Sequence, residues 1–223
     1  MKLDLKILKN GLHQDPRSKK ATEAVRKMVQ DSVGGNGSNI WLAGHSLGSS
    51  IALHAGKTMA KSGIFIESFL FNPPFPSATL YMMFKSEKTK QKVRIGASVV
   101  KAVLSSFMNS GSSSYDSFCA LSVWIPNLFV NPSDRICSEY VGYFKHRIQM
   151  EEIGAGRIER VATQNSFGSL MKNAFGKDAE PLHLIPSAIL TVNMTTQQNG
   201  HGLDQWWTPK LDLKSETHIF KYE

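Results

Sequence analysis

The stretch Asn39-Ile40-Trp41-Leu42-Ala43-Gly44-His45-Ser46-Leu47-Gly48-Ser49-Ser50 reads as a strand, a sharp turn and a helix start. An apolar run, Ile40 to Ala43, stops at Gly44-His45-Ser46-Leu47-Gly48, and a small-residue run suited to a helix follows. Gly-x-Ser-x-Gly in that setting is the pattern of a nucleophile elbow, whose serine sits on a strained turn with its Oγ above the sheet. This reading asks for glycine at both 44 and 48, because a Cβ at either would collide with the neighbouring strand or helix. It also aims first-turn N–H groups, Leu47 N–H foremost, at any oxyanion forming beside Ser46. The five residues alone are weak evidence, since a glycine-rich turn with Ser46 as a helix N-cap satisfies them too. Context favours the elbow. Ser49, Ser50, Ala52 and Ala55 after it let a helix lie close to a sheet.

A chain of 223 residues is expected to form a single domain with a substantial core. It holds no apolar run of about 18 residues, so no membrane-spanning helix is expected. Met1-Lys2-Leu3-Asp4-Leu5-Lys6 does not read as a signal peptide. The two cysteines, Cys119 and Cys137, form neither a disulfide framework nor a metal motif, so a reducing, cytoplasmic setting without metal or cofactor is the expectation. The net charge of +8 concentrates at Lys19, Lys20, Arg26 and Lys27, and at Lys85, Lys88, Lys90, Lys92 and Arg94. Such charge suits either a solvated helix face or peripheral contact with anionic lipid. No nucleic-acid-binding motif accompanies it.

Outward from the elbow, Arg17 to Val33 has an amphipathic helical period, with Ala21, Ala24, Val25, Met28 and Val29 as its apolar stripe. Met1 to Leu8 alternates like a half-buried strand. The elbow helix is expected to run to about Lys61, with Gly63 as its stop, and Ile64 to Phe71 to form the next strand. Strand, helix and strand in that order imply a βαβ unit with parallel strands. Residues 84–107 read as a helix and 110–116 as a Ser/Gly-rich loop, so 84–116 is a candidate lid-like helical insertion. Trp124 to Val130 reads as a strand and Arg135 to His146 as a helix. Ile148 to Glu180 reads as an irregular excursion, Pro186 to Asn193 as a late strand and Thr217 to Tyr222 as a terminal one.

A serine nucleophile needs a base to take its proton and an acid to orient that base. On an α/β-hydrolase they follow in the order serine, acid, histidine. Asp134 follows an apolar strand, and His201 stands in the glycine-flanked loop Asn199-Gly200-His201-Gly202 after the late strand. Asp134 suits a plain helix N-cap equally well. His201 is preferred on position over His13, His45, His54, His146, His183 and His218. The side chain of His45, next to the serine, is expected to point away from it.

Gly44-His45-Ser46-Leu47-Gly48 resembles the elbow of class 3, fungal-lipase-like α/β-hydrolases. Further stretches resemble a plant branch often labelled GDSL esterase/lipase, although no Gly-Asp-Ser-Leu occurs here. They are Phe71-Asn72-Pro73-Pro74, Val130-Asn131-Pro132-Ser133-Asp134, Leu182-His183-Leu184-Ile185-Pro186-Ser187-Ala188, and Gly200-His201-Gly202-Leu203-Asp204-Gln205-Trp206-Trp207. The resemblance spans nearly the whole chain. It implies a mostly parallel α/β-hydrolase sheet flanked by helices over 1–223. It also implies hydrolysis of acyl or lipid esters, with Ser46, Asp134 and His201 as the triad.

In class 3 lipases a strand ending near Phe-Arg-Gly-Thr precedes the elbow by many tens of residues, and its loop supplies a second oxyanion donor. None of the 45 residues before Ser46 reads that way. The resemblance therefore implies a sheet lacking its first strands in an N-terminally shortened chain. Leu47 N–H would be the one identifiable donor, and Ile40 to Ala43 would form an exposed edge open to a partner or a second copy. A catalytically impaired, lipid-binding or interaction module is the rival expectation.

Overall fold

Asp15 starts the first helix, α1 (Pro16–Asp31). Its carboxylate accepts a hydrogen bond from Ser18 N–H at 3.3 Å, and Pro16 occupies a position where a missing N–H costs nothing. The chain is seen here in a computed structural model that describes residues 15–32, 35, 37–75, 119–152, 185–195 and 199–220. After α1 come β1 (Trp41–His45), α2 (Leu47–Lys61), β2 (Glu67–Phe71) and β3 (Asn127–Val130). Then follow α3 (Glu139–Glu152), β4 (Ala188–Asn193), a 3₁₀ turn (Leu203–Trp206) and β5 (Leu213–His218). The strands form one sheet in the order β1-β2-β3-β4-β5. The first three pairings are parallel and the last is antiparallel. This mostly parallel sheet flanked by helices is an α/β-hydrolase-like fold.

Its core follows from the strand register. Leu70 lies opposite Leu128, and Leu128 opposite Leu190, all buried. Val25 and Val29 of α1, Ala55 and Met59 of α2, and Tyr140 and Phe144 of α3 join the same cluster. Helix α2 packs close because its inner face is small. A Cβ on Gly56 would stand 2.4 Å from Cζ2 of Trp124. That indole is buried and donates from Nε1 to the Ile66 carbonyl at 2.8 Å.

Several boundaries differ from the sequence reading, each for a packing reason. Residues 119–123 are helical and Trp124 plugs α2, so β3 begins only at Asn127. Helix α3 starts later than Arg135 because 131–138 form turns around Asp134. It also runs past Ile148 to Glu152, through the part read as irregular. Tyr140, Phe144 and Arg147 are all buried, and Arg147 donates to the Pro186 carbonyl. Strand β5 starts at Leu213 and overlaps the expected Thr217 to Tyr222 only at Thr217 and His218. Only His218 of its six residues is buried, so no apolar alternation marks it. Among the described residues β1 pairs only with β2, and the exposed Trp41 indole donates to Glu67 Oε2 at 2.8 Å. The expected strand at Met1 to Leu8, the insertion at 84–116 with its basic run, and the excursion beyond Glu152 lie outside the described residues.

Candidate active site

Parallel strands gather functional groups at their carboxyl ends. Here β1 runs into Ser46, β2 into Asn72, and β3 into Asn131 and the turn that holds Asp134, while His201 lies in the chain beyond β4.

Ser46 has φ 55° and ψ −122°, a conformation that costs a non-glycine residue about 1–3 kcal/mol. The surroundings enforce it. Its N–H donates to the Phe71 carbonyl at 2.9 Å, and its own carbonyl accepts Ser49 N–H at 3.0 Å and Ser50 N–H at 3.2 Å. The hydroxyl makes no cap bond to the helix. Gly44 is required, because a Cβ there would lie 2.5 Å from the backbone of Gly48. The same requirement does not hold at Gly48. A Cβ there meets nothing within 4 Å, so its glycine has no steric cause among the described residues.

The structure brings Ser46, His201 and Asp134 into one hydrogen-bonded chain. His201 Nε2 stands 3.0 Å from Ser46 Oγ, and His201 Nδ1 stands 2.8 Å from Asp134 Oδ2. Asp134 is not the helix N-cap of the plainer reading, since α3 begins only at Glu139, but its side chain does shape the turn that follows. Its Oδ1 accepts Ile136 N–H at 3.0 Å while Oδ2 faces the imidazole. Burial pushes the Asp134 carboxyl up, but bonds from His201, the Ile136 N–H, Asn72 and Cys137 together hold it below the usual carboxylate range. An ionised carboxylate only accepts, so His201 Nδ1 carries the proton and Nε2 presents its lone pair to the Ser46 hydroxyl. Burial and the Asp134 charge push the Cys137 thiol up, which keeps it a neutral donor, 3.2 Å from Asp134 Oδ2.

From the sequence, the His45 side chain is expected to point away from Ser46. Among the described residues its ring makes no hydrogen bond to Ser46, and its Nε2 lies 2.8 Å from the His201 carbonyl. The carbonyls on either side are also held. Gln205 Nε2 donates to Gly200 O at 2.7 Å and to Gly202 O at 2.8 Å. Sequence reasoning missed Asn72 and Gln205. Asn72 had one usable signal, an asparagine at the end of an apolar strand, where the left-handed φ of 47° it adopts is tolerated. Gln205 had none, because its partners lie at Asn72, Asn131 and Gly200.

Of the other candidates, His54 lies on α2 and His218 on β5, stacked on Phe144 with ring centroids 4.5 Å apart. His13 and His183 lie outside the described residues. No group of three or more His, Cys, Asp or Glu among the described residues is placed to hold a metal ion.

No family model and no solved structure matches the chain. A protein of Arabidopsis thaliana named GDSL esterase/lipase is 46% identical over 234 residues, covering 99% of this chain. The chain spans 64% of that relative's length.

Proposed function

We propose, with that likeness to a plant esterase/lipase as the premise, that this protein hydrolyses carboxylic esters of acyl or lipid substrates through Ser46, His201 and Asp134. The observation that carries the reading is the unbroken chain from Ser46 Oγ through His201 to Asp134, at 3.0 and 2.8 Å. Class 3 membership, read from Gly44-His45-Ser46-Leu47-Gly48, belongs to the same proposal.

His201 Nε2 takes the hydroxyl proton as Ser46 Oγ attacks the ester carbonyl. The imidazolium that forms is stabilised by the Asp134 carboxylate on Nδ1. Leu47, the first residue of α2, offers its N–H to the tetrahedral oxyanion. His201 returns the proton to the leaving alkoxide, and the alcohol departs from an acyl-Ser46. Water, deprotonated by His201, then attacks the acyl carbonyl. The carboxylic acid leaves and Ser46 regains its proton. Neither half-reaction needs a metal or a redox group.

The test is labelling with a fluorophosphonate probe beside turnover of short-chain p-nitrophenyl esters. The expected result is a covalent adduct mapped to Ser46, and ester turnover that Ser46→Ala lowers by roughly 10⁴-fold or more. Folded protein that neither labels at Ser46 nor hydrolyses any ester in the panel rejects the reading and favours a binding module.

A further inference from the structure

Asn72 is a fully engaged polar side chain beside the site. Its side-chain nitrogen donates to Asp134 Oδ2 at 2.8 Å and to the Gly200 carbonyl at 2.9 Å. Its side-chain oxygen accepts from Trp206 Nε1 at 2.9 Å and from Gln205 Nε2 at 3.2 Å. The orientation of the amide is not ambiguous. An indole N–H can only donate and an ionised carboxylate can only accept, so oxygen must face Trp206 and nitrogen must face Asp134. Both hydrogens and both lone pairs are thereby used, on a residue with no exposed surface.

The partners are what give this amide a purpose. Asp134 orients the His201 ring, and Gly200 precedes His201 in the loop that carries it. One nitrogen therefore ties the carboxylate to the backbone of the imidazole it serves. We propose, resting on the hydrolytic reading above, that Asn72 is a positioning residue that locks Asp134 and the His201 loop into one unit, so that Nε2 stays aimed at Ser46 Oγ. Gln205 extends the lock, since it bonds Asn72, both glycine carbonyls beside His201, and Asn131 at 2.6 Å. A side chain that merely filled space would need neither hydrogen.

Two substitutions separate the roles. Asn72→Gly keeps the left-handed backbone accessible and deletes the amide. Asn72→Asp keeps nearly the same volume and still accepts from Trp206 and Gln205. It cannot donate to Asp134 or Gly200, and it sets a second carboxylate against the first. The expected outcome is a fall in kcat of roughly 10- to 100-fold in Asn72→Gly with KM little changed, and no rescue in Asn72→Asp. Wild-type kcat in either folded variant overturns the proposal, and rescue by Asp reduces Asn72 to a space-filler. The His201 Nδ1–H proton resonance is read in parallel and does not depend on turnover. It should shift or broaden in both variants, and an unmoved resonance overturns the proposal even if the wild type hydrolyses no ester. Absence of wild-type labelling at Ser46 defeats the hydrolytic reading alone.

Discussion

Strands β2, β3 and β4 carry two layers of side chains only a few residues apart, built on opposite principles. The lower layer is Leu70, Leu128 and Leu190, side by side in register and buried. The upper layer is Asn72, Asn131 and Asn193 at the strand ends, all buried and joined through Gln205. Dispersion and the hydrophobic effect have no direction, so a leucine layer holds many shapes nearly as well as one. Amide bonds are directional, and a half-satisfied buried network is worse than none. The apolar layer therefore holds the sheet, and the amide layer determines where a loop that begins beyond β4 comes to rest.

The sharpest break between the layers should come at Asp134. Asp134→Asn keeps the shape but offers His201 an amide, which favours the wrong imidazole tautomer. Ester turnover should fall on the order of 10⁴-fold while the unfolding midpoint moves little. Equal losses of turnover and stability would erase the distinction.

Next, Leu128→Ala should cost about 2–5 kcal/mol in denaturant unfolding yet leave kcat of the folded fraction near wild type. Gln205→Met, of similar volume, should do the reverse. It strands the Asn131 amide and the loop carbonyls for about 1–3 kcal/mol and lowers kcat roughly tenfold or more. If Leu128→Ala lowers kcat as far as Gln205→Met does, the layers are not separable.

A smaller effect tests the rim of the apolar layer. His218 is stacked on Phe144, and its Nε2 makes no hydrogen bond among the described residues, standing 3.8 Å from Glu216 Oε2. Burial lowers its pKa, Glu216 opposes this, and Arg147 adds to the lowering. The unfolded chain therefore takes up a proton at about 6.5 that the folded protein resists. Stability is full above that value and declines as pH falls through it towards the lower folded value. Melting temperatures from pH 8 to 5 should show this decline, and His218→Phe should flatten it. A slope unchanged by the substitution assigns the loss elsewhere.

The elbow sets a large effect at Gly44 beside the smallest one, at Gly48. Gly44→Ala must displace the backbone of Gly48 and should abolish folding or turnover, whereas Gly48→Ala meets open space in a helix. The second should be neutral or stabilising by up to about 1 kcal/mol, with Ser46 labelling intact. Loss of labelling in Gly48→Ala would mean that position needs glycine for contact with substrate.

What the chain reveals without coordinates is whatever is local. Ile40 to Ala43 before the glycine motif, and the small residues after it, specify strand, turn and helix within 12 positions. The turns after β3 and β4 likewise mark Asp134 and His201 as strand-end residues in hydrolase order. β5 was misplaced because nearly all its residues face solvent and no apolar period registers. The end of α3 is not legible past about His146, because the next buried position is an arginine, Arg147, rather than an aliphatic residue. Only tertiary structure decides the supports of the site. Asn72 meets Asp134 across 62 positions and Gly200 across 128, and His45 meets the His201 carbonyl across 156. An amide has two donors and two acceptors wherever it sits. Which groups fill them depends on where distant segments land once the leucine layer has packed, and no window of sequence contains that information.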